Sequence, residues 1–195
     1  MTIATKELQL RVAGWYPGIK TQVQLAIDGN SMTNTFTAVR NFQRLHGLVV
    51  DGIAGPRTEA AINVLHNPDN STQHFDWLEF KKPRDTSSIY KLPLVQVVYN
   101  LRMLMWNLEG LRSALGNVRI SINSGVRSIA YNKAIGGASD SMHMYGLAAD
   151  ISVRDKTPME VTETAKKCGF SGIFLYPGHT HVDLRARFGR PWVWQ

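Results

Sequence analysis

The chain has 195 residues, 44% of them apolar and 19% charged, a balance that fits one large globular domain or two small ones. No apolar run approaches the ~18 residues that span a membrane. The single cysteine, Cys168, excludes an internal disulfide and any Cys-rich metal motif, so a bound metal would have to be held by histidines and carboxylates. A net charge of +7 points to a polyanionic partner, either nucleic acid or an anionic cell wall, and no nucleic-acid motif appears in the expected order.

The opening stretch, "MTIATKELQLRVAGW", lacks the basic start and continuous apolar run of a secretory leader. Cytosolic synthesis, or a leader already removed, is the expectation. An internal repeat follows. "AIDGNSMTNTFTAV" (26–39) and "VVDGIAGPRTEAAI" (49–62) superpose with Asp28 on Asp51, Gly29 on Gly52 and Thr35 on Thr58. Each copy reads as an Asp-Gly turn and a helix begun by a threonine or nearby polar cap. "TFTAVRNFQRLHGL" spaces Phe36, Val39, Phe42 and Leu45 for one helix face, with Gly47 as the stop. A small three-helix unit over roughly 6–66 is predicted, ending near "HNPDNST" (66–72).

The run "VRNFQRLHGLVVDGIAGPRTEAAI" resembles the type 1 peptidoglycan-binding domain, matching its signature at Phe42, Gln43, Gly47, Leu48, Asp51, Gly52, Gly55 and Thr58. These residues build turns and caps; wall binding is what the resemblance implies. The predicted first domain is 1–70, and 71–195 is the second.

A polar connector (73–91) contains "HFDWLEF", whose Phe75, Leu78 and Phe80 are expected to dock on the next domain. Residues 92–115 read as a long amphipathic helix with Gly116 near its end. "VRISINSGVRS" and "AADISV" alternate as strands. "PMEVTETAKKCGF" reads as a helix holding Cys168 as a small buried residue, and the strand "GIFLY" leads into "GHTHVDL". This alternation, without a Gly-rich phosphate loop, predicts an α+β domain with a mainly antiparallel sheet.

Three segments supply chemistry. "SGVRS" gives Arg127, "SDSMHMYGLAAD" gives His143 and Asp150, and "GHTHVD" places His179, His181 and Asp183 on one strand face. His143 and Asp150 are separated by a bend at Gly146 and can converge on one ion. His181 would complete two imidazoles and a carboxylate with an open fourth position, the donor set of catalytic zinc.

The complete runs Ser124-Gly125-x-Arg127-Ser128 and Ser141-x-His143-x-x-Gly146-x-Ala148-x-Asp150, followed by "HTHVD", resemble the M15 family of zinc D,D-carboxypeptidases and endopeptidases. With the N-terminal repeat, the two-domain order is similar to the actinobacterial members. The resemblance implies a hedgehog/D-Ala-D-Ala peptidase-like fold, Zn2+ on His143, Asp150 and His181, and hydrolysis of peptide bonds in wall peptidoglycan. It assigns Arg127 and Ser141 to substrate. Many members carry an acidic base three residues before the last histidine, where this chain has Gly178. The base is then Asp183 or His179. Asp183 alternatively orients a histidine, and His179 matches a position that stabilises the oxyanion. A monomer acting at the wall, with no nucleic-acid or membrane partner, is expected, and the lack of a leader suggests a phage endolysin. The alternative is a wall-binding protein that keeps zinc but cuts nothing.

Overall fold

The computed structural model describes residues 2–18, 22–31 and 33–195; residues 1, 19–21 and 32, the last of them inside the first repeat copy, lie outside the described residues. The N-terminal unit is built from α1 (Thr5–Val12), a 3-10 turn at Ala13–Trp15, α2 (Thr33–Leu45) and α3 (Pro56–Val64). One device is used twice to hold its turns. The buried amide of Gln9 donates to Asp28 Oδ1 (3.0 Å), the Asn30 carbonyl (2.9 Å) and Thr35 Oγ1 (3.4 Å), and its oxygen accepts from Gly29 N–H. Gln43 donates to Asp51 Oδ1 (2.8 Å), the Ile53 carbonyl (3.0 Å) and Thr58 Oγ1 (3.1 Å), and accepts from Gly52 N–H. The repeat threonines therefore lie within the first turns of their helices as partners of a glutamine. Thr58 is not a cap; the N-cap of α3 is Gly55. Val39 and Phe42 are buried in α2, whereas Phe36 and Leu45 stay exposed.

The connector makes a short 3-10 turn at Trp77–Phe80, started by a reciprocal capping box between Asp76 and Glu79. Phe75 and Phe80 are buried as expected, but Leu78 points to solvent. The predicted long helix is α4 (Leu94–Ala114), and it is not simply amphipathic. From Leu101 to Leu111 it is buried on almost every side, because α1 and the turn after it pack on one flank and the second domain on the other. Polar residues of α4 serve as fasteners. Asn100 donates to the Tyr145 carbonyl and Asn107 to the Cys168 carbonyl. Glu109, wholly buried, accepts from the backbone N–H of His74 and lies 3.0 Å from that residue's Nδ1. One continuous apolar core runs from Leu10 and Phe42 through Trp106 to Ile151 and Val182.

The second domain adds β1 (Ile120–Ser124), α5 (Ile129–Ala134), β2 (Ala148–Val153), α6 (Pro158–Ala165), β3 (Gly172–Tyr176), β4 (His179–Asp183) and β5 (Val193–Trp194). The strands form one sheet in the order β1-β2-β4-β3-β5. Its first three pairings are antiparallel and the β3–β5 pairing is parallel, so the sheet is mixed. Thr180 and Val182 of β4 turn inward, Thr180 donating to the Pro158 carbonyl at the start of α6. His179, His181 and Asp183 take the other face, as a period of two requires. Cys168 is buried after α6, and its thiol is pushed up to about 12 by loss of solvent. Among the described residues, no helix is long and apolar enough to cross a membrane.

Candidate metal centre

Strand register brings the first two groups together. β2 and β4 pair with Asp150 opposite His181, and β3 places Phe174 opposite the same histidine. The third group arrives on the 3-10 turn Met142–Tyr145, which closes at Gly146 with φ +70°. A Cβ there would also come within 2.7 Å of the Val97 carbonyl of α4, so only glycine fits. Asn100 holds this turn from α4, and Arg127 N–H donates to the His143 carbonyl.

His143 Nε2, His181 Nδ1 and Asp150 Oδ1 converge: the two ring nitrogens are 3.3 Å apart, and the carboxylate oxygen is 2.8 Å from His181 and 3.3 Å from His143. Among the described residues, this is the group whose donor atoms could together hold a metal ion. The outer nitrogens are already committed. His143 Nδ1 donates to the Gly125 carbonyl at 2.6 Å, which can only accept, so the proton sits on Nδ1 and the Nε2 lone pair faces the centre. His181 Nε2 lies 3.1 Å from Asp183 Oδ2, which likewise leaves Nδ1 pointing inward. Two imidazoles and one carboxylate with fixed tautomers fit a divalent ion that prefers nitrogen and oxygen donors.

The electrostatics are those of a preformed cation site. Burial works against the Asp150 charge, but the facing imidazoles of His143 and His181 outweigh it and hold the carboxyl far below the usual range. Burial pushes His143 down. His181 is also buried, yet Asp150 and Asp183 on its two nitrogens hold its pKa above the ordinary value. Asp183 stays ionised against burial because His181 and Arg185 flank it.

A cavity of about 420 Å³ opens over the triad, and Arg127, Ser141, His179 and Asp183 line it with the three donors. The seven residues singled out from sequence thus share one site, though in different ways. Asp183 is wholly buried behind His181, and Arg185 donates to it from the backbone, Nε and Nη2. His179 stands at the wall, stacked on Tyr176 with ring centres 4.6 Å apart. Arg127 donates from Nη2 to Asp150 Oδ2 (2.7 Å) and from Nε to Ser124 Oγ (3.0 Å). Ser141 precedes the 3-10 turn without capping it through its side chain. Gly178 borders a separate hollow with Ser152, Lys156 and Thr180, and its carbonyl accepts from Ser152 Oγ.

Sequence reasoning missed several cavity residues: Asp140, Phe174, Tyr176, Arg185 and Arg190. Phe174 meets the His181 ring in a T-shaped contact and carries the Arg185 guanidinium 4.8 Å from its ring centre. The arginines pair one to one with aspartates around the cavity: Arg127 with Asp150, Arg185 with Asp183 and Arg190 with Asp140. The first two pairs are sheltered, with side chains at most 19% exposed, whereas Arg190 and Asp140 are 33% and 53% exposed. Breaking a buried pair costs about 3–5 kcal/mol, while an exposed one contributes at most about 1 kcal/mol.

Comparison with known proteins agrees with this geometry. The Peptidase M15 family profile matches residues 74–183, and a peptidoglycan binding domain profile matches residues 4–62. The zinc D-Ala-D-Ala carboxypeptidase of Streptomyces albus G is 39% identical over 192 residues, covering 97% of this chain and 74% of its own length.

Proposed function

The chain belongs to the peptidase M15 family and carries a peptidoglycan-binding domain ahead of its peptidase domain, and from that premise we propose that it is a zinc D-Ala-D-Ala carboxypeptidase of wall stem peptides. The observation that carries this reading is the convergence of His143 Nε2, Asp150 Oδ1 and His181 Nδ1 beneath an open cavity. These three residues would hold zinc. When bound, zinc supplies Lewis acidity, acidifying water and polarising a carbonyl.

The rest is the work of the chain's own side chains. The Gly125 carbonyl and Asp183 fix the tautomers of His143 and His181. Asp183 is an orienter in this scheme, since its buried carboxylate, at the edge of the cavity, is already shared by His181 and Arg185. His179, on the open wall, takes the proton from water and returns it to the leaving amine, a role worth about 10²–10⁴-fold. Arg127, anchored at two nitrogens, holds Asp150 in place and presents a fixed cation toward the substrate carbonyl oxygen. Ser141 supplies a hydroxyl to the substrate backbone. The N-terminal domain (1–70) keeps the enzyme on polymeric wall and raises the local substrate concentration around residues 71–195. The basic net charge favours the same anionic surface over free solution. In this reading the protein acts as a monomer at the wall, as a remodelling enzyme or a phage lysin.

The test is digestion of purified sacculi with products identified by mass spectrometry, run with chelator and with chelator followed by zinc. Released D-alanine that disappears with chelator and returns with zinc is the expected result. Retention on sacculi with zinc bound but no product would overturn the hydrolase reading and leave a wall-binding protein.

A further inference from the structure

The cavity carries three arginines, and their surroundings do not leave them equally free to meet a substrate. Arg127 is fixed by Asp150 and Ser124. Arg185 donates to Asp183 from Nε and Nη2 and stands over the Phe174 ring. Withdrawing Arg127 would loosen the donor Asp150, and withdrawing Arg185 would leave the buried Asp183 with an unpaired charge behind His181. Arg190 differs. It reaches the cavity from the C-terminal segment, which is held by the parallel β3–β5 pairing with Val193 N–H on the Ser171 carbonyl. It donates to Asp140 through Nη2 and, at 3.4 Å, through Nη1 to the Asp140 carbonyl, and both side chains face solvent.

Asp140 also has a second partner. The Tyr145 hydroxyl donates to its Oδ1 at 2.6 Å, so the carboxylate remains hydrogen-bonded and hydrated if Arg190 turns away. The same Tyr145 ring lies 5.8 Å beneath the Arg190 guanidinium and keeps the cation over the cavity rim. An arginine in an exposed pair exchanges one carboxylate for another at little cost, and its planar fork suits a carboxylate in two-point contact.

We propose that Arg190 is the specificity-determining residue that binds a free carboxylate on the substrate, leaving Asp140 to do so. This inference rests on the peptidase reading above and narrows it: a guanidinium at the rim favours cleavage of the last amide of a peptide that ends in a free carboxylate over an internal amide. Arg127 and Arg185 stay with the metal donors throughout.

The experiment compares an N-acylated Lys-D-Ala-D-Ala peptide with its C-terminal amide, using zinc-loaded wild type, Arg190→Gln and Arg190→Lys, with bound zinc checked for each. Wild type is expected to prefer the acid. Arg190→Gln should lower kcat/KM for the acid by roughly 10–100-fold, mainly through KM, as loss of a charge-assisted hydrogen bond predicts. The amide, which has no carboxylate to lose, should fall much less, so that the acid-to-amide ratio falls toward one, and lysine should restore part of it. Asp140→Asn moves the other way, lowering KM for the acid, a gain that misfolding cannot imitate. An unchanged acid preference in Arg190→Gln, or equal losses on both peptides, would overturn the proposal. Calorimetric titration of the same two peptides separates the two readings. A wild type that binds acid over amide through Arg190 yet cuts neither sinks only the peptidase assignment, and equal binding of both by wild type sinks Arg190.

Discussion

A Cβ placed on Gly172 would lie 2.3 Å from Oδ1 of Asp183 and 2.4 Å from Nε of Arg185. The bare backbone of β3 is what leaves room for the ion pair that steadies His181. Gly172→Ala should displace that carboxylate and weaken zinc binding by roughly 10–100-fold, the usual effect of losing a group that orients a metal ligand. Competition against a chromogenic chelator measures it. Unchanged affinity in the folded variant would remove Asp183 from the orienting role.

Zinc that binds the folded site and not the unfolded chain should stabilise the protein. At free zinc about 100 times Kd the gain is about 2.7 kcal/mol, which raises Tm by roughly 5–10 °C for a chain of this size. Differential scanning calorimetry with zinc and with chelator reads this directly. His143→Ala, Asp150→Ala and His181→Ala should each abolish the difference, and a shift that survives in all three would place the ion elsewhere.

Glu7 joins the N-terminal unit to α4 through Arg102 and also pairs with Arg11. Burial raises its pKa, but hydrogen bonds and charge from the two arginines win and hold it below the ordinary ~4.3. A carboxylate depressed on folding stabilises the protein in full above that ordinary value, and the contribution fades as pH falls through the lowered folded value. Urea titrations from pH 6 to pH 3 should show wild type losing stability over that acid range, with Glu7→Gln less stable at pH 6 and flatter below. Parallel curves for the two proteins would deny Glu7 this part.

Gly110 of α4 meets the turn after α1 so closely that a Cβ on it would sit 2.3 Å from the Gly14 carbonyl oxygen. The Cβ position is fixed by the helix backbone and the carbonyl is itself backbone, so neither can swing aside. Gly110→Ala should cost about 1–3 kcal/mol as overpacking. The core is continuous across this junction, so unfolding should remain a single transition. Two separated transitions in the calorimeter would show that the junction is not shared.

Alternation made "GHTHVDL" legible as β4, and the same rule placed β2, because each has one buried and one chemical face. Neither β5 nor α5 was legible: two residues carry no period, and six give less than two helical turns. The glutamine brackets escaped for another reason. Asp28 and Asp51 repeat at one spacing, whereas Gln9 and Gln43 repeat at a longer one, so no single offset aligns a whole copy. In the site, the donors were visible because two short motifs hold them. Asp140, Arg185 and Arg190 were not, since their meeting depends on how the C-terminal segment lies beside β3. Nor does a sequence pattern distinguish Asp183 from His179: one lies behind a ring and the other on an open wall, a distinction of depth rather than order.

The two brackets also differ in what lies within them. Gln43 reaches an aspartate 8 residues ahead and Gln9 one 19 residues ahead. Lengthening a flexible loop that much costs only about 0.8 kcal/mol in closure entropy, and the extra chain includes Ala13–Trp15, the stretch that lies against α4. The duplicated halves have therefore parted company. The earlier one encloses a stretch packed against α4, while the later one encloses only a short turn in open water, with Val49 and Ile53 72% and 63% exposed.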